Sequence, residues 1–435
     1  MSPVLSFFCL PGNVYEFIRI NLYGSLPSLV SLNDIIGNSN ATIEEGDFKF
    51  HALQQQLHSM NTKFCFSAED STGVIQKIKY DARTNSFVGF VSPLDNGVPI
   101  PQSFKINSFE ELKTWFDTEE KAPLLNVHMV QPISSILDQN KIPTPFILSA
   151  YGIHNKFTAN DVLYRWKFIF ENCLKRQIRL IGFSTDADSR YMSAMRIASG
   201  LFSPVQNLTF HDHPHAFKIE LPSQWSWFYL QQKQLFLFFQ DPIHLVTKWR
   251  NRLLSTTADL GLGQDQITID HLKNIINSDQ YTKLDHGLTQ SDLNPKDRQN
   301  FNSCIKLISN DIPNLLVDDI DANGTHVYLQ LLKIIVKAFI DKATTISERL
   351  TLSWCVVFVC RLWWSCIKIS TFQNSSTAKN EKINKAKYFI TKPAYLSMEI
   401  NAHNLLYLVL LVKEKKLPKE VLNIHIFNSQ FYPKF

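Results

Sequence analysis

A chain of 435 residues exceeds the comfortable size of one domain, so one interrupted domain or two domains are expected. Apolar residues make up 45% and aromatic residues 12%, which is enough for a large buried core and excludes a wholly disordered chain. A formal net charge of +5 is too mild to identify a nucleic-acid binder by itself. The charge is unevenly spread: from Lys368 to Glu420 ten lysines stand against four glutamates. Such a region suits phosphate contacts, and a solvated lysine-rich face is the plainer explanation. Seven cysteines, an odd number with no C-x-x-C pair, read as reduced thiols of the cytosol or nucleus. The opening MSPVLSFFCLPG has no basic start and meets a Pro-Gly break too early for a signal peptide. The most apolar stretch, Trp354 to Ile369, contains Arg361 and Lys368 and is short for a membrane span. It reads as a buried helix of a soluble intracellular protein.

Residues 1–60 are irregular, with clusters such as NDIIGNSNAT, and read as a linker or the remnant of an earlier domain. From Lys63 the texture changes. KFCFSAED is a short apolar strand that delivers Glu69 and Asp70 at its end. VIQKIKYD and SFVGFVSPL are strand-like runs joined through ARTN, where Asn85 suits a hairpin, so three consecutive antiparallel strands are predicted. Pro93 to Pro145 is proline-rich and mixed, with one short helix, FEELKTWF. Thr158 and Asp161 form a T-x-x-D capping pattern before the apolar-periodic Val162, Leu163, Trp166, Ile169 and Phe170, a helix that ends near Gln177. IRLIGFSTDADSR is then a fully apolar strand ending in Asp186 and Asp188, and SRYMSAMRIASG is a helix closed by Gly200. LFLFFQDPIHL is a further buried strand, ending in Asp241. The predicted order is βββαβαβ. From Thr247 to about Lys419 apolar residues recur three and four apart, as in HVYLQLLKIIVKAFIDKA and NAHNLLYLVLLVKEK, which predicts a large helical region.

Asp70 and Asp186 end the first and fourth strands of that order. In an RNase H-like sheet these strands are central neighbours, so the carboxylates converge. Converging like charges raise each other's pKa unless a cation shares the site. Two Mg²⁺ ions about 3.5–4 Å apart are the usual solution in phosphodiester chemistry. The plain alternative is that each acid only begins a turn. In FFQDPIHLVTKWRNRLL a strand runs into Asp241 and Pro242 opens a helix that sets His244 and Lys248 four apart on one face. Arg250 and Arg252 extend the basic side. This arrangement suits a phosphate backbone near a metal site, the alternative being an N-capping Asp before a solvent-facing basic helix.

The segments SAEDSTGVIQKIKYDARTNSFVGFVSPL, GIHNKFTANDVLYRW, IGFSTDADSRYMSAMR, QDPIHLVTKWRNRLL and AYLSMEINAHNLLYLVLLV resemble a group of animal transposase-like proteins. That group is similar to P-element-type transposases, whose RNase H-like cores are interrupted by a helical insertion. The resemblance covers roughly residues 60–430. It implies a catalytic core over 61–250, a helical insertion over 251–420 and a truncated, divergent tail over 421–435. It makes Asp70 and Asp186 the first two catalytic acids and ligands of a two-Mg²⁺ site. Asp241, His244 and Lys248 match the family's D-x-x-H-x-x-x-K/R segment and, with Arg250, would shape or support a DNA-binding site. In the family a final helix supplies a catalytic Glu after a segment similar to FSSQPCE, whereas here IHIFNSQ passes into FYPKF. The expectation is therefore a transposon-derived protein whose ancestral Mg²⁺-dependent DNA cleavage and strand transfer is lost with the third acid. The alternative is a non-enzymatic DNA-binding or assembly protein. Double-stranded DNA at transposon ends and a homo-oligomer complete what the resemblance implies, while a nuclear or cytoplasmic location is what the reduced thiols imply.

Other candidates read more plainly. Glu399 is the one late acid in a comparable setting, and its helix face with His403 reads as structural. His211, His213 and His215 in HDHPH alternate across a proline, which does not suit one closed zinc site, and form a surface loop. GLGQD near Gly261 lacks the lysine of a phosphate loop. Trp363 and Trp364 are assigned to the core, and the aromatic run Trp225 to Tyr229 to burial rather than base stacking.

Overall fold

Five runs of residues build one mixed sheet: β1 (Phe64–Gly73), β2 (Leu124–Ile133), β3 (Phe146–Ile153), β4 (Arg179–Thr185) and β5 (Leu237–Gln240). Their order across the sheet is β5-β4-β1-β2-β3, with β2 antiparallel to β3 and β4 parallel to β5. Helix α1 (Ala159–Leu174) lies between β3 and β4 in the chain, and α2 (Ser189–Ser199) between β4 and β5. The structure is a computed structural model and describes residues 16, 19–21, 28, 31, 44–133, 143–202, 208–317, 319–374 and 385–427. Most of the irregular N-terminal segment, part of the lysine-rich stretch and the divergent end from Asn428 lie outside the described residues.

The βββαβαβ succession is present, but two of its strands are not the ones the sequence suggests. The expected hairpin forms as a ribbon of its own, Lys79–Asp81 against Ser86–Val88, with Asn85 at φ 53° in its turn. The second sheet strand comes instead from the proline-rich stretch, and the third follows directly after Pro145. β2 reads LLNVHMVQPI, and its Asn126, His128 and Gln131 break the apolar run although all three are buried. They are tolerated because they are paired: the Asn126 amide donates to the Tyr151 hydroxyl at 2.8 Å and accepts from Ser71 at 2.8 Å.

Two compact units divide the chain: residues 1–65, 70–157 and 164–179 form the first, and 66–69, 158–163 and 180–435 the second. In the first, the helix Phe50–Ser59 and its flank bring Phe48, Phe50 and Phe168 together, and the Arg176 guanidinium lies 5.2 Å above the Phe50 ring. Glu45 accepts the Gly152 N–H at 2.7 Å, and burial pushes its carboxyl above the ordinary range.

The second unit starts α1 with the expected box: the Asp161 carboxylate accepts from the Thr158 N–H at 2.7 Å and from its hydroxyl at 2.8 Å. Gly200 ends α2 at φ 72°, also as expected. Beyond it stand α3 (Pro242–Leu253), α4 (Asn323–Phe339), α5 (Ile346–Asn374) and α6 (Lys392–Lys413), where α4 packs on α5, α5 on α6 and α6 on β5. The expected buried helix around Trp354 is buried on one face only. Trp354, Val356, Val357, Cys360 and Trp363 are inside, whereas Cys355, Phe358 and Leu362 face out. Helices Ile346–Ile367 and Lys392–Lys413 are each long and apolar enough to cross a membrane by length and composition. The aromatic run 225–229 is not buried as expected: Trp227 is 69% and Tyr229 51% exposed. A short 3₁₀ turn, Ser223–Phe228, points its rings in different directions, so Phe228 packs on Trp354 at 4.6 Å while Trp227 faces out.

Strand β5 is four residues long and pairs with β4 along one side only. Its other side meets α6 side chains in place of a strand. Asn401 accepts the Gln240 N–H at 2.7 Å and donates to the Gln240 carbonyl at 3.0 Å, while Asn404 accepts the Phe238 N–H at 3.0 Å. Gly182 lets β4 approach closely, because a Cβ there would collide with the Leu237 carbonyl.

Replacing Asn401 with Ala leaves the buried N–H and C=O of Gln240 without these partners. Each orphaned group costs about 1–3 kcal/mol, so a destabilisation of about 2–5 kcal/mol is expected from urea unfolding. A loss below about 0.5 kcal/mol would mean that the amide contact does not hold the strand edge.

Candidate functional site

Strand β4 is buried through Thr185 and releases the chain as Asp186-Ala187-Asp188. The Asp186 carboxylate accepts the Asp188 N–H at 3.1 Å, a local turn that short acidic side chains favour. Asp188 caps α2 by accepting the Arg190 N–H at 2.8 Å, and the Arg190 Nε and Nη2 clamp its two oxygens at 2.9 Å each. Burial raises the Asp188 carboxyl, but the Arg190 hydrogen bonds and charge, helped by Lys248, outweigh it and hold it below the ordinary range.

Because β5 runs parallel to β4, the two strands end at the same edge, and the Asp241 N–H donates to the Thr185 carbonyl at 2.9 Å. Asp241 is buried, and its Oδ1 accepts the N–H groups of Ile243 at 2.8 Å and His244 at 3.3 Å, with Pro242 in the first helical turn. Ile243, Leu245, Val246, Trp249 and Leu253 bury the inner face of α3. His244 sits half-buried in its first turn. One turn on, the Lys248 Nζ donates to the Ala187 carbonyl at 3.1 Å. Burial pushes the Lys248 ammonium below its ordinary pKa, and the charges of Asp186 and Asp188 pull against that shift.

Arg250 points elsewhere. Its buried guanidinium donates to the carbonyls of Asp292 at 2.6 Å and Asp297 at 2.8 Å, tying down the loop between them. Arg252 does the same for the Phe389 carbonyl at 2.9 Å. Of the residues singled out from the sequence, the second unit therefore brings Asp186 and Lys248 together, sets Asp241 under the start of α3 beside His244, and turns Arg250 onto main-chain carbonyls. Asp70 belongs to the first unit, where it is half-buried. Its neighbour Glu69 is fully buried in the second unit and accepts the Tyr191 hydroxyl at 3.0 Å. Sequence reading did not single out Arg190 or Tyr191. The D-S-R spacing after the strand was the available signal for the first, since a capping Asp two residues before Arg permits the clamp.

Mg²⁺ is what the resemblance implies for this end of the sheet. Among the described residues no three His, Cys, Asp or Glu side chains form a group that could hold a metal ion. In the second unit, Asp188 is already paired with the Arg190 guanidinium, and the Lys248 ammonium ends on the Ala187 carbonyl between the two acids in the chain. The late acid is also engaged. Glu399 is fully buried and held by Arg361 Nε at 2.8 Å, Arg361 Nη2 at 2.7 Å and the Tyr395 hydroxyl at 2.7 Å, while the His403 Nδ1 donates to its main-chain carbonyl. The Arg361 guanidinium in turn lies 5.0 Å from the Tyr229 ring centroid.

A solved structure titled "Drosophila P element transposase strand transfer complex" shares this fold: the TM-score is 0.57 at 10% sequence identity, covering 98% of this chain and 82% of that one. No protein-family model and no curated protein matches the sequence.

Replacing Arg361 with Met strands the Glu399 carboxylate in the interior, which is expected to cost about 3–5 kcal/mol in unfolding free energy. Adding Glu399→Leu to that variant is expected to restore most of the loss. If the single variant unfolds at the parent's urea midpoint, this ion pair is not what holds Glu399.

Proposed function

We propose that this chain is a transposase-derived protein that binds double-stranded DNA and does not carry out strand transfer. The observation that carries the reading is the likeness, over nearly the whole chain, to a transposase strand transfer complex. The sheet order β5-β4-β1-β2-β3 and the βββαβαβ succession support an RNase H-like core with the helices after α3 as its insertion. In this reading Asp70 and Asp186 occupy the positions of the first two ancestral metal-binding acids. Asp241, His244 and Lys248 shape the adjoining surface, and Arg250 supports it from within. Lost catalysis is supported by two features: Arg190 occupies Asp188 after β4, and Glu399 is committed to Arg361. Ancestral transposon ends are the natural duplex to test, and self-assembly on them belongs to the same proposal.

A second reading keeps Mg²⁺-dependent DNA cleavage and strand transfer, of which the neighbour's title names strand transfer. The two part in one experiment. Duplex affinity, read by fluorescence anisotropy, is expected to fall steeply with salt, about 0.9 in log K per log salt for each phosphate neutralised. Supercoiled plasmid is expected to stay intact in Mg²⁺ and in Mn²⁺. Salt-insensitive or absent duplex binding would remove the first reading, and nicking abolished by Asp186→Asn would select the second.

A further inference from the structure

The cations that the sequence singles out are spent inside the fold: Lys248, Arg250 and Arg252 all end on main-chain carbonyls. Exposed lysines gather elsewhere in the second unit, at the short ribbon of Phe217–Lys218 against Lys233–Gln234 and the end of α6. Phe217 and Gln234 turn inward and are buried, and Gln234 donates to the Asn404 amide oxygen at 2.7 Å. The Tyr407 hydroxyl reaches the carbonyls of Phe217 at 3.2 Å and Gln232 at 3.3 Å, so α6 holds the ribbon from behind. Alternation then turns Lys218 and Lys233 outward, directly opposite one another on one face. Like charges in that register repel, and the Lys416 ammonium joins them by donating to the Lys218 carbonyl.

The end of α6 adds a second oddity. It closes in a Schellman turn, with the Lys415 N–H donating to the Val412 carbonyl at 3.0 Å and the Lys416 N–H to the Leu411 carbonyl at 2.8 Å. Glycine ordinarily holds the left-handed position of that turn, and here Lys415 takes it at φ 58°. Over residues 211–220, Lys233 and residues 413–420, six lysines stand against four carboxylates, with His211, His213 and His215 among them. Two of the acids are engaged, Asp212 with Lys233 at 3.7 Å and Glu414 with Lys416 at 2.6 Å. Glu220 and Glu420 are the other two.

We propose that the ribbon lysines Lys218 and Lys233, with Lys415 and Lys416 at the end of α6, form the surface that grips the phosphates of duplex DNA. The assignment rests on the duplex-binding reading above and says where on the chain that binding occurs. A duplex carries about one negative charge per 1.7 Å of axis, so the repulsion among these ammoniums becomes attraction shared by neighbouring phosphates. A lysine at a helix end also answers the helix dipole, but the dipole does not require a cation in left-handed backbone. Nor does it account for one lysine set opposite another on the ribbon. The contact reads no bases, because only ammoniums and phosphates meet.

The test measures the affinity of the full chain for a fluorescent duplex across a salt series, together with the urea midpoint of each variant. Lys218→Gln with Lys233→Gln is expected to weaken binding at least about tenfold near 0.15 M salt and to lower the slope of log K on log salt by about 1.8. Its urea midpoint is expected to stay or rise, since a repulsion is removed. Lys415→Gly is expected to weaken binding about fivefold with no loss of midpoint, because glycine suits that backbone. A charge-matched control from two other exposed lysines, Lys283→Gln with Lys296→Gln, is expected to bind within about twofold of the parent. Equal losses in the patch and control pairs, or a folded patch pair that binds like the parent, would overturn the proposal and leave the duplex reading standing. A lowered midpoint for Lys415→Gly would make that lysine a helix-end cation and count against the proposal. A parent that binds no duplex defeats the functional reading and the assigned surface with it.

Discussion

The contact between α6 and the outer side of β5 governs the second unit. A four-residue strand has few hydrogen bonds of its own, and its partner β4 satisfies only alternate main-chain groups. Asn401 and Asn404 supply the rest, because a primary amide offers an acceptor and a donor about as a peptide group does. Three residues apart on one helix, they reach main-chain groups two residues apart on the strand, Gln240 and Phe238. With β5 fixed, Asp241 is fixed, and with Asp241 the first turn of α3 and the reach of Lys248 follow. The chemistry-bearing end of the sheet is thus set by two uncharged amides that are not themselves part of it.

Basic residues in this unit serve the interior more than their positions in the sequence suggest. Arg250 and Arg252 end on carbonyls, Arg361 on a buried carboxylate and Lys248 on Ala187. A guanidinium with five donors can gather several loop carbonyls at once, which hydrophobic contact cannot do. The buried pair of Arg361 and Glu399 adds little net stability over an apolar pair, and its value lies in fixing how α5 meets α6.

Much of this was legible in the sequence. Strands with continuous apolar runs, such as LIGFST and LFFQ, were found because they are buried on both faces and stay apolar throughout. Caps at Thr158 and Gly200 were found because each rests on local chemistry, and the cap at Asp241 is the plainer of the two readings that segment allowed. β2 was missed because Asn126, His128 and Gln131 are buried with partners on other segments, and no local pattern announces a partner that lies far along the chain. The hairpin around Asn85 was real but was assigned to the wrong sheet, since alternation describes a strand and not its neighbours. Trp227 and Tyr229 were assigned inward on aromatic character alone, which a 3₁₀ turn does not respect. At the candidate site the acids and Lys248 are visible in the sequence, but their partners are not. Arg190 answers Asp188 locally, whereas Lys248 reaches the Ala187 carbonyl from 61 residues downstream.

The partnership of β5 and α6 also has a cost in time. The hydrogen bond between Gln240 and Asn401 spans 161 residues. At about 5–20 residues per second, a ribosome that has finished β5 needs on the order of ten to thirty seconds to deliver the amide that covers it. Throughout that interval the nascent sheet presents an open edge of Leu, Phe and Phe, the kind of edge that recruits strands from other chains. Shielding by a chaperone, or slow synthesis upstream rather than within the helical region, would therefore matter more for obtaining this protein intact than any property of its finished surface.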